Sequence, residues 1–540
     1  MSNFSISEID FDVEGLELIR KRISDNDCYE LSKILSKTSL TELNLASNQI
    51  TQKGFDYLIK GIHKSKIKKL CLFGNKVSGF RNDFYKTGLT SLDLGCNDLE
   101  SYDFDYLSHV LPLSKITNLD IGYNTIYKSD LTNLFQALPN TNLTSLTLKN
   151  TSPDIIDSLT GILPHTKLTS INISNNRLFS THIYWIANAM QKSNLKEINL
   201  GLTNGGFGYD SGILFKKLSD SKLTSLDLYA NETSNKNCIL LANLLHKTQL
   251  KKLYLSNNDK INCSGFKALS EALNKSKLTT LNLSGNRILS KDYSIILKIV
   301  SNGKTLTDLN LCSISIGESG FSYLFKLLPQ SKLKKLNLGH TDITEKNCLY
   351  LAKILHQTKL TDLNLDCTYI GDTGFIPLIV SLNRTKIKTL HLSNNKITKK
   401  SCIILSNVWQ KTKLTRLGLR GNKIGNGGCL MICKTLNKTK LKYLDLECNY
   451  IKDEIYSEFN KLLRINRRKL TLNKKIKNTF IMGLSKKYGG PKCSIYRMSQ
   501  SSSFERNLIP LIYMYVCPNF DIQIKNIQSK IQMMLNQIER

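Results

Sequence analysis

Two periods of apolar residues alternate along this chain. A phrase such as LTELNLASNQI, from Leu40, alternates apolar and polar side chains as a half-buried strand does. The residues after it, TQKGFDYLIKGIHKSK, place Phe55, Leu58, Ile59 and Ile62 at helical spacing. The phrase recurs sixteen times, from residues 40, 67, 89, 116, 143, 168, 195, 223, 250, 278, 306, 333, 360, 387, 414 and 441. The pattern is L-x-x-L-x-L-x-x-N-x-I, with a period of 27 or 28 residues broken at 67 to 89 and at 143 to 168. A repeat of this length predicts one strand and one helix per unit, stacked so that each repeat buries its neighbour.

The ninth place of the phrase is Asn in eleven repeats, among them Asn48, Asn75, Asn124, Asn286, Asn395 and Asn449. The exceptions are Thr151, Thr203, Ile314, Thr341 and Thr368. An amide or hydroxyl there can satisfy backbone groups in a buried turn; Ile314 cannot, so that turn is expected to differ. Two kinds of helix start alternate toward the C-terminus: Gly265-Phe266, Gly320-Phe321, Gly374-Phe375 and Gly428-Cys429 in one, Cys348 and Cys402 in the other.

On these residues the chain resembles leucine-rich repeat proteins of the ribonuclease-inhibitor type, over about residues 13 to 470. The resemblance implies an α/β solenoid, a horseshoe with a concave parallel β-sheet and convex α-helices. It implies no particular partner, because one fold hosts many functions. The expected organisation is an N-terminal cap and degenerate first repeat over 1–39 and the repeat solenoid over 40–470. Residues 471–540 then hold a basic segment, a linker and a short C-terminal helix with Ile524, Ile527, Ile531, Met534 and Ile538 in a two-heptad seam.

Of fourteen Cys, most recur at equivalent places, as at Cys238, Cys348 and Cys402 or Cys96, Cys367 and Cys448, without the paired C-x-x-C spacing of a metal site. They read as small buried side chains in a reducing compartment. The N-terminal MSNFSISEIDFDVEG is acidic and lacks a signal sequence's apolar run, so a cytoplasmic protein is expected. The longest late apolar run, LIPLIYMYVC from Leu508, is too short for a membrane span. No P-loop, dinucleotide fingerprint, H-E-x-x-H or nucleophile elbow is present, so neither an enzyme nor a cofactor or metal is expected.

Net charge is +32, and lysine stands immediately before the phrase in ten repeats, including Lys386, Lys413 and Lys440. This row reads in two ways. It is either an electrostatic strip for an acidic protein or anionic surface, or a set of helix-end cations in a chain with a bias toward Lys. The shortage of Arg and of stacking aromatics speaks against nucleic acid.

The central outward position of the strands is Asn or Asp in eleven repeats, which suggests a hydrogen-bonded ladder along the sheet. Tyr254, His391 and Gly418 interrupt that row, and around them lie the candidate partner-binding residues. One cluster is His391, Arg416, Arg420, Tyr443, Asp445 and Glu447; a second is Tyr229, Lys252 and Tyr254. The function this supports is a monomeric, non-catalytic scaffold that binds a partner protein on the concave face and rim. Lys- and Asn-rich chains of this kind are similar to bacterial effectors that enter a eukaryotic host. The architecture also resembles the Ran GTPase-activating protein, whose acidic C-terminal tail has no counterpart here. A ubiquitin-ligase chemistry at Cys493 or Cys517 would need a larger domain than the end of the chain supplies.

Overall fold

The computed structural model describes residues 13–488 apart from 81–82, 125 and 204–210, together with residues 9, 11, 526 and 529. The expected linker after Tyr488 and the apolar seam of the expected C-terminal helix lie outside the described residues. The chain divides into two compact units, Met1–Arg287 with Asn302–Leu306, and Ile288–Ser301 with Thr307–Arg540.

In the first unit, eleven three-residue strands pair parallel in chain order: β1 (Gly15–Glu17), β2 (Glu42–Asn44), β3 (Lys69–Cys71), β4 (Ser91–Asp93), β5 (Asn118–Asp120), β6 (Ser145–Thr147), β7 (Ser170–Asn172), β8 (Glu197–Asn199), β9 (Ser225–Asp227), β10 (Lys252–Tyr254) and β11 (Thr280–Asn282). In the second, six strands do the same: β12 (Asp308–Asn310), β13 (Lys335–Asn337), β14 (Asp362–Asn364), β15 (Thr389–His391), β16 (Arg416–Gly418) and β17 (Tyr443–Asp445). The middle residue of every strand, a Leu or Ile, is buried, and its neighbours point to the other face. An α-helix follows nearly every strand. The exception is the short repeat from residue 67, whose 22 residues leave room only for the 3₁₀ turn Phe84–Lys86. The last helix, Asp453–Tyr488, continues past residue 470, where the sequence pattern ends.

The ninth-place asparagines bind adjacent repeats together. Asn75 donates to Leu72 O (2.9 Å) and to Leu45 O of the preceding repeat (3.0 Å), while its Oδ1 accepts from Ile50 N (3.1 Å). Threonine keeps half of this, as when Thr368 Oγ1 donates to Leu365 O at 2.8 Å. At Ile314 the turn differs as expected. Its own N–H bonds Leu311 O, and Asp342 of the following repeat accepts from Ile316 N at 3.0 Å.

The alternating helix starts have a packing cause. A β-carbon on Gly428 would come within 2.6 Å of Ile424 Cγ2 and 3.3 Å of Cys402 Sγ; one on Gly374 would stand 3.4 Å from Cys348 Sγ. Glycine in one repeat thus makes room for the cysteine of the repeat before it. Gly428→Val should therefore lower stability by about 1–3 kcal/mol through overpacking. Adding Cys402→Ala should recover part of that loss in a urea titration of the double variant.

One buried histidine is held neutral. His182 Nδ1 accepts the Phe179 N–H at 2.9 Å at the start of helix Ser180–Lys192, between the rings of Phe179 and Trp185. Burial holds its pKa below the usual histidine value, against the pull of Asp154 and Asp157. Its contribution is therefore complete above the unfolded value of about 6.5 and is lost as pH falls through the lower folded value. The melting temperature should drop on acidification through this range. His182→Asn should drop less, because Asn347 makes the same cap with Thr344 N without titrating.

Candidate functional site

Outward residues on β15 to β17 fall into strict register: Arg416 stands opposite Tyr443, Gly418 opposite Asp445, and His391 opposite Gly418. Arg416 lays its guanidinium over the Tyr443 ring, 4.6 Å from the centroid. Tyr443 is 39% exposed, and partial burial together with the Asp445 charge raises its phenol pKa. Arg420 pairs with Glu447, so that much of this cluster's charge is internally matched. His391 sits over Gly418, where a β-carbon would stand 3.5 Å from His391 Nδ1 and 3.6 Å from Ser393 Oγ. The structure thus brings five of the six residues into direct contact with another of the six, Asp445 by holding the Glu447 N–H at 3.0 Å, while His391 meets only Gly418.

The second cluster is looser. Tyr229 follows β9, and Lys252 and Tyr254 lie on β10, but the Lys252 ammonium turns to Glu197 at 3.2 Å rather than to the tyrosines. The Tyr229 hydroxyl accepts from Asn257 Nδ2 at 3.3 Å.

The Asn and Asp row does not form the expected ladder. In all eleven repeats the side-chain Oδ1 accepts the N–H two residues ahead in its own repeat, as Asn44 does from Ala46 (3.0 Å), Asn337 from Gly339 (2.9 Å) and Asp445 from Glu447 (3.0 Å). This is the local bond that short polar side chains make where a strand bends into a turn. Where His391 interrupts the row, Asp366 of the preceding repeat takes over and accepts from Ser393 N.

Sequence reasoning passed over a third cluster, at β3 to β5. Cys71 Sγ donates to Asp93 Oδ2 at 3.0 Å, and Phe73 meets Tyr123 edge-on nearby. Burial and the charge of Asp93 push the Asp120 carboxyl up to about 6. The available signal was two Asp in consecutive repeats at one outward position. Among the described residues no group of His, Cys, Asp and Glu is arranged to hold a metal ion.

The rim lysines divide by environment. Lys167 Nζ donates to Thr141 O at 3.0 Å, Lys222 to Asn194 Oδ1 at 2.7 Å and Lys277 to Gln249 Oε1 at 2.8 Å, each on the preceding repeat. Those lysines tie repeats together. Lys386, Lys413 and Lys440 are exposed and make no hydrogen bond or ion pair among the described residues.

Leucine-rich repeat family profiles match residues 36–58, 277–299, 410–433 and 437–457. The chain is a leucine-rich repeat solenoid. Solved structures that the chain matches include one of the Rad7 and Elc1 complex in yeast, at 18% identity and TM-score 0.46 over 66% of this chain and 89% of that one. Another is an internalin (inlF) of Listeria monocytogenes, at 16% identity and TM-score 0.26 over 79% of this chain and 89% of that one. No curated protein matches the sequence. As in other leucine-rich repeats, the outward strand positions are those the core leaves free. No helix among the described residues is long and apolar enough to cross a membrane.

Proposed function

We propose that this leucine-rich repeat chain is a non-catalytic, monomeric scaffold of the ribonuclease-inhibitor type that binds a partner protein on the face of β15 to β17 and the adjoining lysine rim. The full helix in most repeats supports the subtype. The observation that carries the binding site is the Arg416–Tyr443 pair. It places the two side-chain types most enriched where binding energy concentrates on one exposed strand face. Its neighbours Lys386, Lys413 and Lys440 are three consecutive rim lysines with no partner among the described residues. Buried thiols such as Cys238, Cys348 and Cys402, which burial pushes up to about 12, support a cytosolic setting.

The test is affinity capture from eukaryotic lysate with wild type, Arg416→Glu/Arg420→Glu and a triple substitution of Lys386, Lys413 and Lys440. A discrete protein held by wild type and lost with the arginine variant supports the reading. Recovery of nucleic acid or lipid alone, released by the rim variant or by added salt, would overturn it.

A further inference from the structure

The turn that follows the strand carries an exposed residue at the tenth place of the phrase in most of the described repeats. In the last four repeats these residues are Tyr369, Lys396, Lys423 and Tyr450, in one row along the edge of the second unit opposite the lysine rim. Tyr369 is 66% exposed and Tyr450 80%. Both are held at positive φ, 56° and 58°, a conformation in which a bulky side chain is strained and which glycine would adopt freely. Folding gives no reason for an exposed aromatic ring on a strained backbone, whereas contact with a partner does.

The charges around this row are unevenly satisfied. Asp366 accepts from Ser393 N, Asp372 from the Thr398 N–H and hydroxyl, Asp445 from Glu447 N, and Glu447 is paired with Arg420. The Lys423 ammonium has neither a hydrogen bond nor an ion pair among the described residues, although its backbone N–H bonds Ile397 O at 2.7 Å, and the Lys396 ammonium has only the face of Tyr369, 4.8 Å from its centroid. Asp453 and Glu454 stand exposed at the start of the last helix beside Tyr450, so the free charge is cationic within the row itself, at Lys396 and Lys423.

We propose that Tyr369, Lys396, Lys423 and Tyr450 grip an acidic segment of a partner polypeptide, with carboxylates on the two ammonium groups and the tyrosines closing on apolar side chains at either end. Strand spacing of about 4.8 Å makes the row about 15 Å long, a span covered by roughly four or five extended residues. Nucleic acid fits less well. The two rings stand at opposite ends of the row rather than as successive stacking platforms, and the row has no arginine fork. This proposal rests on the protein-binding reading above and names the chemistry of the partner.

The test uses the full chain and the fluorescence anisotropy of a labelled oligo-glutamate peptide, with labelled oligo-uridylate and phosphatidylserine-containing vesicles as competing probes. Lys396→Glu/Lys423→Glu should weaken peptide binding at least about tenfold, while Lys76→Glu, in the same row of the first unit, should leave it unchanged. Tyr450→Gly should weaken binding with an unchanged or higher melting temperature, which a merely structural tyrosine would not do. Unchanged peptide binding in the double lysine variant, equal loss in Lys76→Glu, or tighter binding of oligo-uridylate or vesicles would overturn the proposal. If a captured protein is lost with Arg416→Glu/Arg420→Glu but kept with Lys396→Glu/Lys423→Glu, the edge proposal fails and the scaffold reading stands.

Discussion

Replacing Asn422 by Ala should destabilise the second unit by about 3–4 kcal/mol, measured by urea unfolding. Its Nδ2 donates to Leu419 O at 2.8 Å and Leu392 O at 2.9 Å, and its Oδ1 accepts from Asn395 N at 2.9 Å and Ile397 N at 3.0 Å. Asn422 is 1% exposed, so water cannot readily replace the amide. Each of the four backbone groups left unpaired costs on the order of 1 kcal/mol or more. Threonine at the same place should lose about half as much, because its hydroxyl can still reach the carbonyl three residues back, as Thr341 reaches Leu338 O at 2.6 Å. Equal losses for Thr and Ala would mean that the link between repeats, and not the local carbonyl, carries the energy.

The strands, the helices and the asparagine row were legible because each recurs at a nearly fixed period, the strand in all sixteen phrases and the asparagine in eleven, and repetition averages out local ambiguity. Other features repeat as regularly yet need coordinates to be read. A Ser or Thr stands two places before most phrases. Thr412 donates to Trp409 O at 2.6 Å and accepts from Leu414 N at 3.4 Å, closing the helix end onto the next strand. Thr439 does the same with Leu436 O and Leu441 N. In sequence these hydroxyls look like solvated residues beside the more conspicuous lysines. The Asn and Asp outward row was visible, but its bonding partner was not, since a side chain two residues from a free N–H and one 27 residues from a neighbour look alike in a string. The same limit applies to the candidate site. Arg420 and Glu447 are 27 residues apart, one repeat, and only the strand register shows that they neutralise each other while Arg416 covers Tyr443.

This division bears on how the surface is to be read. A residue that recurs in every repeat and bonds its own or the preceding repeat serves the stack; Lys167, Lys222 and Lys277 are of this kind despite their charge. Exposed side chains that find no partner among the described residues are the ones the fold does not explain. The Lys423 ammonium, Tyr450 and the Lys386–Lys413–Lys440 set meet that condition in the last repeats of the second unit, as Lys66, Lys115 and Lys332 do in earlier repeats.

The second large effect concerns the repeat that is too short. With no α-helix between β3 and β4, the loop carrying Gly79 and Phe80 is held from outside by Asp103, on helix Ser101–Val110 of the next repeat. The Asp103 carboxylate is fully buried and accepts three backbone N–H groups, from Gly79 at 2.7 Å, Phe80 at 2.9 Å and Glu100 at 3.1 Å. It also fixes Phe80 against Phe55 and Phe84, rings that fill the space a helix would otherwise occupy. Asp103→Ala should cost about 3–5 kcal/mol, since it strands three donors and frees the loop that carries Phe80. Asp103→Asn should cost less, because its carbonyl oxygen can still serve Gly79 and Phe80, while its NH₂ would face the Glu100 N–H. Hydrogen exchange should show the loss first at Gly79 and Phe80. Unchanged protection there in Asp103→Ala would show that the aromatic cluster alone holds the short repeat in place.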